Sequence, residues 1–199
     1  MKRITERFGR SRRARARARG FMCHYGQLNK NMSQSKFNKA IKKLFIEDQS
    51  DRKNNVQKNN WVKISKNDNQ RRKAIREIIT KNKKNFTAQD YYMAAMIYQH
   101  GPSLTDSKKA ILFARKSMEL GYKKSKWLYA AAVDRFLMKQ GKKQKYGTQF
   151  INKNGKWSLY KIDISTTDKE RAKFNVEPLK ISLKIAKDLN KERSRNNLI

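Results

Sequence analysis

TAQDYYMAAMIYQHGPSLTDSKKAILFARKSMELGYKKSKWLYAAAVDRFLMKQG, residues 87–141, is the stretch that decides the fold. Thr87 and Asp90 form a capping-box pattern opening a helix through Tyr98, and Gly101 with Pro102 ends it. Thr105 is placed to cap a second helix, Lys108 to Leu120, which stops at Gly121. A third runs from about Ser125 to Gln140 and stops at Gly141. Short connections between helices of this length favour antiparallel neighbours, and Ala94-Ala95 and Ala130-Ala131-Ala132 permit close approach. The expected fold class is mainly α, an antiparallel helical hairpin stack.

Outward from this stretch the texture changes. Phe150-Ile151 and Trp157-Ser158-Leu159-Tyr160 flank Asn154-Gly155, a strong turn signal, so a small C-terminal β-hairpin is expected at about 148–161. Thr167-Asp168 starts a short helix to Phe174. Pro178 suits the first turn of a last helix carrying Leu179, Ile181, Leu183, Ile185, Ala186 and Leu189. Towards the N-terminus, Phe37, Ile41, Leu44 and Phe45 mark one stripe of a short basic helix. Gln49 to Asn60 reads as a linker, and Asp68 as the cap of a helix with Ala74, Ile75, Ile78 and Ile79 inside. The expected organisation is an Arg-rich arm over 1–32, a basic helix and linker over 33–67, a helical domain over 68–185 and a basic tail over 186–199.

The 199 residues hold 50 Lys+Arg against 16 Asp+Glu, a net charge of +34. Solubility needs far less, which points to a polyanionic partner. The first 86 residues carry +20 of it. MKRITERFGRSRRARARARG has nothing to bury and is expected to be a disordered basic arm when alone. Two readings of it compete, a phosphate-neutralising arm and an Arg-rich organellar targeting segment, the first favoured because only Ile4 and Phe8 supply an apolar face. No stretch reaches the roughly 20 apolar residues that span a bilayer. A lone Cys23 and two histidines leave no Cys/His zinc cluster, and the expectation is an intracellular protein with no metal and no cofactor.

The chemistry-bearing residues cluster in AAMIYQHG (94–101), AVDRFLMKQGKKQKYGTQF (132–150) and ERAKFNVEPL (170–179). This pattern resembles a largely bacterial domain family of unknown function, over about 68–185, and the helix pairs are similar in style to tetratricopeptide or Sel1-like repeats. The resemblance implies a helical fold and a motif formed here by Gln99, His100, Asp134, Arg135, Gln144, Tyr146, Gly147, Thr148 and Gln149; it implies no established activity. Residues 1–67 and the extreme charge lie outside it. Read physically, His100, Asp134 and Arg135 beneath the Gly147 turn suit either an acid/base and phosphate-binding pocket or a structural clasp, in which Asp134 accepts backbone N–H groups of the 145–149 loop. No phosphate-cradling or dinucleotide glycine motif and no nucleophile elbow is present.

The leading expectation is a non-enzymatic, nucleic-acid-binding structural component, RNA-bound at the periphery of a ribosome-like ribonucleoprotein particle, with neighbouring proteins as partners and no membrane. A mitochondrion or another ribosome-bearing compartment fits it. The expected phosphate contacts are Arg12, Arg13, Arg15, Arg17, Arg19, Arg71, Arg72, Lys73, Arg76, Lys142, Lys143 and Lys145. The alternatives are an enzyme using His100, Asp134 and Arg135, a DNA-packaging protein, and a helical adaptor with an apolar groove between the 89–100 and 106–120 helices.

Overall fold

The computed structural model describes residues 39–55, 60–82 and 86–196, and the chain is mainly helical with one small C-terminal hairpin, as expected. The described elements are α1 (Lys39–Asn55), α2 (Trp61–Asn82), α3 (Ala88–Tyr98), α4 (Leu104–Glu119), α5 (Ser125–Lys139), β1 (Phe150–Lys153), β2 (Lys156–Leu159), α6 (Asp168–Lys173) and α7 (Leu179–Asn196). Phe37 and the arm residues Arg12, Arg13, Arg15, Arg17 and Arg19 lie outside the described residues.

Helix α3 is the centre because it is apolar on all sides, a pattern that requires neighbours all round. It is buried continuously from Asp90 to Tyr98. Its start is a capping box: Thr87 Oγ1 accepts from Asp90 N at 3.2 Å and Asp90 Oδ2 accepts from Thr87 N at 2.9 Å. Helices α1, α2, α4 and α5 surround it, with Ile41, Ile75, Ala110, Phe113, Ala114, Leu128 and Ala132 in the shared core. Tyr91 and Tyr98 both contact the Phe113 ring, at 6.0 and 5.6 Å between centroids.

Four boundaries differ from the sequence reading. Helix α4 starts at Leu104, capped by Ser103 rather than Thr105, because Asp106 completes a second capping box with Ser103. Gly101 is required there by contact rather than by conformation: a Cβ on it would lie 2.3 Å from Asp106 Cβ. Helix α1 runs through Gln49 to Asn55, into the stretch read as a linker, because its polar residues pair with α2 instead of facing water alone. Asp68 caps nothing; it is in the second turn of α2, 6% exposed and held by Arg52 and Arg71. The 67/68 division therefore cuts a helix, and Ile41 of the supposed outer segment is fully buried in the core.

After α5 the chain makes the expected hairpin, with Asn154 and Gly155 at φ of 52° and 81° and Phe150 paired with Leu159 through to Lys153 with Lys156. Helix α7 packs on β2, and the Asn190 side chain zips its outer edge: Trp157 N donates to Asn190 Oδ1 at 2.7 Å, and Asn190 Nδ2 donates to Trp157 O at 2.8 Å. The division at 186 is also corrected, since α7 passes through it with Ala186 and Leu189 buried against the fold. Among the described residues no helix is long and apolar enough to cross a membrane.

Candidate functional site

The motif residues divide into two networks. Asp134, fully buried in α5, receives four hydrogen bonds from the 145–148 turn: Lys145 N at 2.7 Å and Tyr146 N at 2.8 Å on Oδ1, Thr148 N at 2.9 Å and Thr148 Oγ1 at 2.8 Å on Oδ2. Burial lifts its pKa above the usual carboxylate range against the pull of these donors. Gln144, also fully buried, accepts from Gln149 N at 2.9 Å and donates to the carbonyls of Gln149 and Tyr160 at 3.0 and 2.9 Å. From α6, Arg171 is 1% exposed and donates to Tyr146 O at 2.7 Å and Thr166 O at 3.0 Å. Gln149 Nε2 reaches Thr148 Oγ1 at 2.9 Å. The Tyr-Gly-Thr-Gln segment is thus a clasp joining α5, the hairpin and α6.

Gly147 sits at φ +82°, and a Cβ there would lie 2.9 Å from Ile162 Cδ1 and 3.3 Å from Arg171 Nη1. Gly147→Ala combines left-handed strain with crowding, so a loss of about 2–3 kcal/mol is expected in urea unfolding. A loss below about 0.5 kcal/mol would mean that the turn relaxes freely.

His100 belongs to the second network. Arg52 Nε donates to His100 Nε2 at 3.2 Å, which leaves the ring proton on Nδ1, 3.2 Å from Asp48 Oδ1. Arg52 also forks onto Asp68, at 3.2 and 2.8 Å, while Arg71 bonds Asp68 at 2.9 Å and pairs with Asp51. Asn67 adds a donor to Asp51 at 2.8 Å. These side chains bolt the α1–α2 pair to the end of α3. A helix C-terminus favours a cation, but burial, followed by the Arg52 charge, holds the His100 pKa below the ordinary value despite Asp48. His100 and Asp134 therefore do not meet in one pocket: both His100 nitrogens face α1, whereas both Asp134 oxygens face the clasp, and Arg135 is close enough to His100 for its charge to act on the ring.

A pH dependence follows. Below about pH 6.5 an unfolded chain protonates His100 while the folded one resists, so stability falls with falling pH, by at most about 1.4 kcal/mol per unit for one proton. Burial pushes Asp48 and Asp51 up, but their hydrogen-bond and ion-pair partners together outweigh it and hold both below the usual carboxylate range, so they contribute stability above about pH 4 that is lost on further acidification. In denaturant titrations from pH 8 to pH 5, His100→Gln is expected to flatten the upper part of this decline. Parallel curves for the two proteins would refute the assignment to His100.

Sequence alone does not single out Asp48, Asp51 and Arg52, and it reads Asp68 as a cap; the i, i+3 and i+4 spacing of the first three is visible there, but not their partners. It also placed two buried arginines among the phosphate contacts. Arg71 and Arg72 are 5% and 7% exposed, on the packed side of α2, with Arg72 Nε 3.8 Å from Asp106. Lys73, Arg76, Lys142 and Lys143 are exposed, and Lys145 pairs with Glu170 at 2.7 Å. Gln99 is buried with its amide 3.2 Å from Met96 Sδ. The seam proposed as an adaptor groove is filled by Tyr91, Ala110, Phe113 and Ala114. On α7 the lysines 180, 184, 187 and 191 are all exposed, an alignment that a reading of apolar positions alone passes over. Among the described residues no group of three His, Cys, Asp or Glu is placed to hold a metal ion. No family model, curated protein or solved structure matches the chain.

Proposed function

We propose that the protein is a nucleic-acid-binding structural component, bound to RNA in a ribonucleoprotein particle, with neighbouring proteins of that particle as further partners. An intracellular, ribosome-bearing compartment, the mitochondrion included, suits this role. The observation that carries the reading is where the opposite charges go. Eight of the nine aspartates, at 48, 51, 68, 90, 106, 134, 163 and 168, accept from donors of the fold itself. Among the described residues most lysines are exposed and none is buried, so these aspartates are tied to donors of the fold while a large cationic surface faces solvent. Such a surface binds phosphates chiefly by releasing their counterions.

The test is binding of the intact protein to structured RNA and to duplex DNA of equal length, across a salt series. Tight binding with a steep negative log–log slope is expected. Replacing Arg12, Arg13, Arg15, Arg17 and Arg19 by Ala should lower the duplex slope by up to about 4–5, at about 0.9 per lost phosphate contact. Negligible binding near physiological salt sinks the reading, and a DNA preference moves it to the packaging alternative.

A further inference from the structure

We infer that the outer face of α7 is a preformed ridge that tracks a nucleic-acid backbone; the inference rests on the nucleic-acid reading above and assigns it a surface. Lys180, Lys184, Lys187 and Lys191 follow i, i+4, i+7, i+11, and at 3.6 residues per turn they fall within an arc of about 60°. All four are exposed. The arc lies opposite the buried side of the helix, where Ser182, Ala186 and Leu189 are 2%, 6% and 7% exposed. At about 1.5 Å per residue the charges are about 4.5–6 Å apart along some 16 Å of helix. The spacing concentrates four like charges in one line, and Asp188, on its flank four residues after Lys184, offsets only part of their repulsion when no anion is present.

The ridge continues onto the hairpin. Lys153 and Lys156 are directly paired across the strands, both exposed, and like charges so placed destabilise a hairpin. Lys156 and Lys191 each adjoin one side of the Trp157–Asn190 tie, so the hairpin tip neighbours the end of the ridge. That tie also fixes α7 to the fold, which lowers the ordering required on binding. The occupant is a polyphosphate strand rather than a lipid surface, because a membrane-lying helix presents one continuous apolar face outward, whereas α7 buries Ala186 and Leu189 and its exposed Ile181 and Leu183 fall on opposite flanks of the lysine line.

The test uses the full chain carrying Lys180→Gln, Lys184→Gln, Lys187→Gln and Lys191→Gln together. A control carries Lys108→Gln, Lys123→Gln, Lys169→Gln and Lys173→Gln, equally exposed and equal in charge change. Melting curves establish that both are folded, and structured RNA is titrated at several salt concentrations. The ridge variant should lose roughly 100- to 1000-fold in affinity near 0.15 M salt and about 3–4 in slope, with the control changed by less than tenfold. Equal losses in both variants overturn the ridge and leave the nucleic-acid reading standing, whereas failure of the intact protein to bind RNA or DNA overturns both. A ridge variant that keeps RNA binding but loses binding to phosphatidylserine vesicles overturns the ridge in favour of a membrane surface.

Discussion

Asp134→Ala is expected to destabilise the fold by about 3–5 kcal/mol, the range for removing one partner of a buried charged network. Its carboxylate answers three backbone N–H groups and one hydroxyl of a turn that is itself buried. Alanine leaves those donors without water or protein to accept from them. For a chain of this size the loss corresponds to a fall in Tm of roughly 6–20 °C. Asp134→Asn separates shape from donor count: one amide oxygen replaces two carboxylate oxygens, and the amide NH2 faces N–H groups, so most of the loss should persist. A fall below about 1 kcal/mol would mean that Gln144 and Arg171 hold the turn without Asp134.

Arg71→Met is expected to cost a similar 3–5 kcal/mol, for the opposite reason: it leaves acids behind. Asp48, Asp51 and Asp68 would then share Arg52 and a neutral His100 in a place where Asp48 is fully buried. Arg71→Lys should recover little, because one ammonium cannot reproduce a fork that serves Asp68 and Asp51 together. Adding Asp51→Leu to Arg71→Met removes one stranded carboxylate and should restore part of the stability. Under conditions where these variants are folded, the salt dependence of RNA binding should match the parent. A slope reduced by about 1 would return Arg71 to the phosphate contacts named from sequence.

Helix existence was legible because its signals are local. Thr87 with Asp90, Gly121, Gly141 and the Asn154-Gly155 turn all specify backbone geometry within a few residues, and each is where the sequence places it. Asp134 as an acceptor for the 145–149 loop was likewise readable, since both partners lie in one short stretch. What escaped was everything decided by partners distant in sequence. Asp68 looked like a cap because an aspartate before an apolar run usually is one; its partners Arg52 and Arg71 become visible only when α1 lies against α2. The same contact turned a polar, linker-like composition at Gln49–Asn55 into helix, and it withdrew Arg71 from the surface. At His100 burial and a neighbouring guanidinium outweigh the helix dipole. The α7 lysines needed no tertiary information, only attention to the polar period as well as the apolar one.

The Asn190 tie bears on how the chain tolerates early termination. Trp157 presents its N–H and C=O outward from β2, and the amide that covers them arrives 33 residues later. A two-stranded sheet has two edges, and an uncovered edge is a template for pairing with another molecule. Chains cut just before Leu179 would keep α1 to α6, the hairpin and the Arg171 clasp but expose that edge beside Trp157. Their failure would then be intermolecular, appearing as concentration-dependent self-association, while the helical core ahead of the cut stays intact.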